Sequence, residues 1–123
     1  TNASCATTHD IRVEATPAYL ADKSLPEAKQ YIFGYHITIT NGSTEVVQIV
    51  ARRWTIIDAD GDTKQVDGQG VVGQQPLLEP GEVFEYSSYC PLATPWGTME
   101  GTYTVQTQTD EFLVEIPRFY FVS

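Results

Sequence analysis

Residues 31–40 read Tyr-Ile-Phe-Gly-Tyr-His-Ile-Thr-Ile-Thr, and they carry the clearest secondary-structure signal in the chain. Every second residue from Tyr31 to Ile39 has a large apolar side chain, and from Gly34 onward the residues between them are small or polar. A period of two places one kind of side chain on each face of an extended chain, so the stretch predicts a β-strand with one buried face. The pair Asn41-Gly42 that follows favours a type I′ hairpin turn.

Similar patterns recur along the chain, and no window of ten or more residues carries a helical stripe. Alternating or β-branched runs lie at residues 11–16, 46–57, 63–67, 83–89, 103–107 and 112–116. Short turns join them, which predicts an all-β fold: an antiparallel β-sandwich of about seven strands, fibronectin type III-like or immunoglobulin-like. We expect residues 1–8 to be a flexible N-terminal tail and residues 9–123 to be a single domain.

Two details of this sandwich are also predicted. Pro117 is expected near the end of the last strand or at a bulge, because proline cannot donate to a β-ladder. Tyr86 follows a turn of the kind found at the corner between sheets, where a tyrosine hydroxyl bonds to nearby backbone.

The charge of the chain excludes several classes of function. The 123 residues include 16 acidic and 7 basic side chains, for a net charge of −9. This balance argues against binding of nucleic acid or of anionic membrane surfaces. Residues 58–85 hold seven acids and Lys64 as their single base, so two-thirds of the excess charge lies there. No apolar stretch is long enough for a transmembrane helix.

Cys5 and Cys90 are the two cysteines, and they are 85 positions apart. This number and spacing fit neither a metal motif nor a disulfide framework. We expect two free thiols in a reducing compartment, and therefore a cytoplasmic protein.

A glycine-rich segment is the first candidate binding loop. It matches the letters G-x-G-x-x-G, a motif that binds pyrophosphate at the N-terminus of the helix that follows it. No helical pattern follows the segment here, so this mechanism is not expected. Three interpretations stay open: a structural loop, a contact for a partner protein, and a backbone nest for phosphate. The acidic surroundings weaken the phosphate interpretation. The residues of this loop are Gly68, Gln69, Gly70, Val71, Val72 and Gly73.

Two further sites carry weaker signals. The cluster at residues 58–62 has three aspartates but fails the spacing of a calcium loop, so we expect a β-turn, with a weakly held divalent cation as the alternative. Arg52 and Arg53 should point to opposite faces of a strand, one pairing with a carboxylate such as Asp58 or with an external anion, the other stacking on an aromatic ring. Trp54 and Trp96 are expected to be core or packing residues rather than platforms for a ligand. His36 has no second metal ligand near it in sequence.

An ordered series of motifs resembles the ApaG (DUF525) family over about residues 9–122. The segments are RRWTIID at 52–58, VDGQGVVG at 66–73, QQPLLEPGE at 74–82 and TPWGTMEGTY at 94–103. The resemblance implies a fibronectin type III-like sandwich and a bacterial single-domain protein, and it supplies no catalytic residues. Gln69 and Gln74 stand where glutamates are common in the family, which makes an acidic metal site in this loop less expected.

The family resemblance also frames the expected function. The name ApaG is linked to cobalt resistance and to Co²⁺/Mg²⁺ homeostasis, its gene often neighbours that of a diadenosine tetraphosphate hydrolase, and related domains occur in an F-box protein and a polymerase delta-interacting protein. We expect a non-enzymatic module that binds an as yet unidentified protein, as a monomer or homodimer and with no cofactor. The alternative is a binder of pyrophosphate, a nucleotide or a divalent cation through Gly68–Gly73.

Overall fold

The computed structural model describes residues 3–71 and 73–123, and within them the chain forms nine β-strands and two short 3₁₀ turns, Ala21–Lys23 and Pro26–Ala28. No helix in this described part is long and apolar enough to cross a membrane. The strands are β1 (Ser4–Thr8), β2 (Ile11–Tyr19), β3 (Tyr31–Asn41), β4 (Val47–Asp58), β5 (Thr63–Gln69), β6 (Leu77–Leu78), β7 (Val83–Leu92), β8 (Trp96–Gln106) and β9 (Glu111–Val122).

The strands form two antiparallel sheets that pack face to face. One sheet has the order β1-β2-β3-β7, and the other has the order β5-β4-β8-β9, with β6 paired to the start of β4. This arrangement confirms the predicted all-β antiparallel sandwich. The prediction of about seven strands is low by two, because β1 and the two-residue β6 are too polar or too short to show an alternating pattern.

The predicted strand at residues 31–40 is the core of β3, which lies between β2 and β7 in the first sheet. Its apolar side chains from Phe33 to Ile39 are buried, as expected. Phe33 stacks on Phe121 of the other sheet with a ring-centroid distance of 4.9 Å. In the second sheet, Trp54 meets Phe119 edge to face at 6.0 Å. Each such buried ring contributes about 1.5–3 kcal/mol, so aromatic packing joins the two sheets at their centre.

Residues 1–8 do not form a flexible tail throughout, because Ser4–Thr8 form β1 and pair antiparallel with β2. The expectation is wrong for these residues because backbone hydrogen bonds to an open strand edge require no apolar side chains. β1 also meets the second sheet, where the Glu115 N–H donates to Thr8 Oγ1 at 3.2 Å. Beside it, the His9 ring lies 4.5 Å from the Phe112 ring. This β1–β9 seam closes one side of the sandwich, and the folded unit begins before residue 9.

The Asn41-Gly42 pair does not form the predicted hairpin, because β3 and β4 belong to different sheets. Neither residue has the left-handed backbone that a type I′ turn requires. Instead Asn41 is buried, and its Nδ2 donates to the carbonyl oxygens of Glu45 at 2.8 Å and of Leu78 at 3.0 Å. The Gly42 N–H donates to the carbonyl of Asp10 at 2.9 Å. The pair anchors the connection that crosses between the sheets.

β9 contains a bulge opposite β8. Between the pairs Met99–Phe119 and Gly101–Ile116, two residues of β9 face a single residue of β8. One of these two is Pro117, which confirms its predicted place at a bulge.

Tyr86 on β7 and Tyr103 on β8 join the two sheets by a hydrogen bond between their hydroxyl groups. The predicted partner of Tyr86, a nearby backbone group, is therefore replaced by a side chain of the opposite sheet. Burial is the main cause that raises the pKa of both phenols. Both stay neutral at physiological pH, so one hydroxyl always has a proton to donate to the other.

This pair predicts a coupling between the two tyrosines. Tyr86→Phe leaves the fully buried Tyr103 hydroxyl without its partner, so we expect a loss of about 1–3 kcal/mol in the free energy of unfolding. The double variant with Tyr86→Phe and Tyr103→Phe removes both hydroxyls and should cost less than the sum of the single changes. Urea denaturation of the wild type, the two single variants and the double variant measures the coupling. Additive losses in the free energy of unfolding would contradict it.

Candidate functional site

The side of the sandwich opposite the β1–β9 seam is open. β5 and β7 are the edge strands of the two sheets here, and neither pairs with a further strand within the described part of the chain. Between them lies a cleft of about 490 Å³, which we call the open-side cleft. Its volume falls in the range of known ligand pockets. Its apolar and aromatic lining consists of Tyr35, Trp54, Ile56, Val66, Tyr86, Tyr89, Cys90, Pro91, Leu92, Ala93 and Met99.

Charged side chains lie among this apolar lining. The register of β4 and β5 pairs Arg52 with Gly68 and Ile56 with Lys64, so all four residues face the inside of the sandwich. Arg52 and Lys64 both line the cleft, as do two aspartates of the turn between these strands. Inward-pointing charges discourage unwanted pairing at a sheet edge. They also give the open-side cleft a pattern of charge that a ligand can recognise.

Arg52 connects the open-side cleft to the predicted glycine loop. Its Nη1 donates to the carbonyl oxygens of Gln69 at 3.1 Å and of Gly70 at 2.8 Å. The guanidinium lies directly over Gly68, where an added Cβ would come within 2.7 Å of Cζ of Arg52. The first glycine of the G-x-G-x-x-G letters is thus the space that Arg52 occupies.

Arg53 points to the other face of β4, as the strand period predicts. Its Nε donates to Asp67 Oδ1 at 2.9 Å in an exposed cross-strand ion pair. Asp58, named in advance as an example of a carboxylate partner, is bonded by neither arginine. Trp54 exposes only 2% of its surface, in agreement with its predicted core position, whereas Trp96 is 51% exposed at the start of β8 and is not a core residue.

Two backbone N–H groups of the glycine loop, those of Gly70 and Val71, are already bonded within the protein. The Gly70 N–H donates to the carbonyl of Val50 at 2.8 Å, and Val71 and Gln74 exchange hydrogen bonds of 2.7 and 2.9 Å. These N–H groups point into the fold rather than towards an external anion. Val72 lies outside the described residues. The geometry favours the structural interpretation of this loop, and ligand binding by it stays a prediction.

The aspartate-rich turn joins β4 to β5, as predicted from its composition. Carboxylate oxygens of Asp58, Asp60 and Asp62 lie within 4.8 Å of one another. Asp58 Oδ1 accepts the backbone N–H groups of Asp60 at 2.9 Å and Asp62 at 3.0 Å. This Asx-type bonding explains the turn without an ion. A weakly held divalent cation at this turn stays a prediction.

Three side chains on the outer face of the first sheet, His36, Ser87 and Glu85, form a hydrogen-bonded trio that no sequence pattern predicts. His36 Nδ1 lies 2.8 Å from Ser87 Oγ, and His36 Nε2 lies 3.0 Å from Glu85 Oε1. The hydrogen bond from His36 lowers the pKa of Glu85. The residues are about 50 positions apart, and only the pairing of β3 with β7 brings them together. A catalytic Ser-His-Glu site also needs a cleft and oxyanion donors, and this trio lies on an exposed sheet face.

The match to a family model covers residues 21–107 and is described as the ApaG domain. The chain belongs to the ApaG family. The match includes every residue that lines the open-side cleft, so the cleft is part of the ApaG domain itself.

Relatives and a solved structure agree with this assignment. The chain is 51% identical to Protein ApaG of Brucella anthropi over 115 residues, which is 93% of this chain and 88% of that protein. It is 50% identical to Protein ApaG of Thiobacillus denitrificans over 112 residues, or 90% and 88% of the two chains. A crystal structure of a Bordetella pertussis protein described as ApaA superposes with a TM-score of 0.90 at 44% identity, covering 94% of this chain and 95% of that one.

The loop geometry of this ApaG domain predicts different costs for two of its glycines. Gly70 has φ of +67°, and an added Cβ would lie 2.1 Å from the carbonyl oxygen of Gln74. Gly73 has φ of +79° with nothing within 4 Å of an added Cβ. We expect Gly70→Ala to lower the free energy of unfolding by about 3 kcal/mol or more, and Gly73→Ala by about 1–2 kcal/mol. Chemical denaturation tests the order, and equal losses would show that the close contact has no role.

The two free cysteines should differ sharply in reactivity. Cys90 lies in the wall of the open-side cleft and is only 4% exposed. Burial raises the pKa of its thiol to about 11. At pH 8 about one thousandth of such a group is thiolate, whereas Cys5 is exposed on β1. An aromatic disulfide reagent should therefore titrate one thiol per folded chain quickly and the second only after denaturation. Cys5→Ser should remove the fast reaction. A fast reaction that survives in that variant contradicts the burial of Cys90.

Proposed function

We propose that this chain is a non-enzymatic binding module that recognises a partner protein through the open-side cleft. The observation that carries the proposal is the unequal closure of the sandwich. One side is sealed by β1 against β9, whereas the other leaves two edge strands around an aromatic-floored cleft of about 490 Å³. An open strand edge beside apolar pockets is a recurring way to bind an extended peptide.

The surface around the cleft supports recognition of a protein. Tyr89 on the edge strand β7 lines the cleft and exposes 61% of its surface. Tyrosine is enriched at protein interfaces because it buries a large area at low cost in side-chain entropy. The Lys23 ammonium lies 5.3 Å from the centre of the Tyr89 ring, a cation–π contact at the rim of the cleft.

The chemistry of the described side chains supports a non-enzymatic role. In the cleft, burial raises the pKa of Tyr35, Tyr86 and the thiol of Cys90, so these three groups stay protonated at neutral pH and are not poised to accept a proton or attack a substrate. The His36 trio lies on a different face. The two free thiols support a cytoplasmic location. In this proposal, a link to Co²⁺/Mg²⁺ homeostasis runs through the partner protein.

Site-specific photocrosslinking in cells tests the proposal. A benzophenone amino acid replaces Tyr89 at the cleft rim or, as a matched control, Tyr120, which is 55% exposed on β9. Both changes exchange one exposed aromatic ring for another. We expect a discrete crosslinked protein from position 89 and none from position 120. The same crosslink from both positions, or from position 120 alone, would place the interface elsewhere.

A further inference from the structure

The charges of the open-side cleft follow an order along its length. Arg52 lies at the end next to the glycine loop, close to the tyrosines, and its charge opposes the rise in pKa that burial causes at Tyr86. Trp54 and Val66 form the apolar middle, and Lys64, opposite Ile56, lies between this middle and the aspartates. Asp58 and Asp62 lie at the other end, where β4 turns into β5.

The Arg52 end is suited to a carboxylate. Only Nη1 of Arg52 donates to the loop carbonyls, and the hydrogen bonds within the described residues leave Nε and Nη2 without acceptors. The loop thus holds the guanidinium in place while part of its donor fork stays available. An arginine held in one orientation loses little entropy when it binds a planar carboxylate.

The opposite end is suited to a basic group. Asp58 and Asp62 line the cleft, and Asp60 lies in the same turn. Residues 58–64 carry three aspartates and one base, Lys64, so this end has an excess of negative charge. The two ends are six residues apart along β4, which corresponds to roughly 20 Å.

We propose that the open-side cleft binds an extended peptide segment with a carboxylate at one end, apolar side chains in the middle and a basic side chain at the other end. The inference rests on the proposed function and specifies the chemistry of the partner. An extended segment of about seven residues spans the distance, and its residues 1, 3, 5 and 7 face one way. The first residue therefore meets Arg52, the third and fifth meet the apolar middle at Trp54, and the last meets Asp62. This charge order matches the order of the cleft.

Four capped synthetic peptides test the proposal by fluorescence anisotropy. All share the central sequence Thr-Val-Thr-Leu-Thr, whose Val and Leu side chains face one way. The first and last residues are Glu and Lys in one peptide, Lys and Glu in the second, two Glu in the third and two Lys in the fourth. We expect at least one peptide of mixed charge to bind about tenfold or more tightly than either peptide with like charges, and the preference to weaken as salt is added. The direction of the better mixed peptide then reports which way the strand runs.

Charge-reversal variants separate recognition from folding. Arg52→Glu should shift the preference to the peptide with two Lys residues, and Asp62→Lys should shift it towards the peptide with two Glu residues. Asp62 is exposed on a turn, so its variant tests the charge order even where Arg52→Glu perturbs the glycine loop. Arg53→Glu is the matched control, because Arg53 neighbours Arg52 on the same strand but faces outward. It should leave the preference unchanged.

Three results would overturn the inference. Equal binding of all four peptides would show a cleft that accepts extended chains without regard to charge, and the proposed function would stand. Absence of binding by every peptide at about 1 mM would reject this peptide chemistry, while the crosslinking experiment judges the proposed function on its native partner. A dimer of the chain that excludes all peptides would show that the occupant is a second copy.

Discussion

A sandwich of two stacked sheets has two sides at which the sheet edges can meet. In this molecule the edges meet at one side only, and the candidate site depends on that difference. At one side the backbone of Glu115 on β9 bonds to the Thr8 hydroxyl on β1, and the rings of His9 and Phe112 pack beside them. At the other side β5 and β7 stay apart, and a cleft replaces the seam. A sandwich closed on both sides would bury its whole interior, whereas this one leaves part of its inner surface available for recognition.

Packing at the centre of the sandwich stabilises the fold although one side stays open. Aromatic rings from both sheets pack against one another. The ring centroids of Tyr35 and Trp54 are 5.5 Å apart, and those of Phe33 and Phe121 are 4.9 Å apart. The hydrogen bond between Tyr86 and Tyr103 adds a polar link that satisfies both buried hydroxyls. Because these contacts hold the sheets together, the inner face near β5 can carry charges such as Arg52 and Lys64 instead of apolar residues.

The G-x-G-x-x-G letters illustrate how a motif depends on its context. In dinucleotide-binding folds the glycines bring phosphate close to a helix N-terminus. Here Gly68 makes room for the guanidinium of Arg52, and Gly70 supplies a left-handed backbone against the carbonyl of Gln74. The same letters therefore serve a loop that positions an arginine at the end of a cleft. This role depends on a cross-strand neighbour, which a local pattern does not reveal.

Several features of this protein are predictable from the amino-acid sequence: the all-β class, the apolar face of β3, the aspartate turn, the family, and a place for Pro117 at a strand end or a bulge. These features depend on local periodicity, on turn residues or on an ordered series of motifs. Other features appear only in the folded chain: Ser4–Thr8 form a strand, Asn41-Gly42 crosses between sheets, and Ser87 meets His36. The physical reason is that strand pairing joins residues distant in the chain through backbone hydrogen bonds, which carry no side-chain signature. The open-side cleft belongs to this second group, because it exists only where two edges fail to meet.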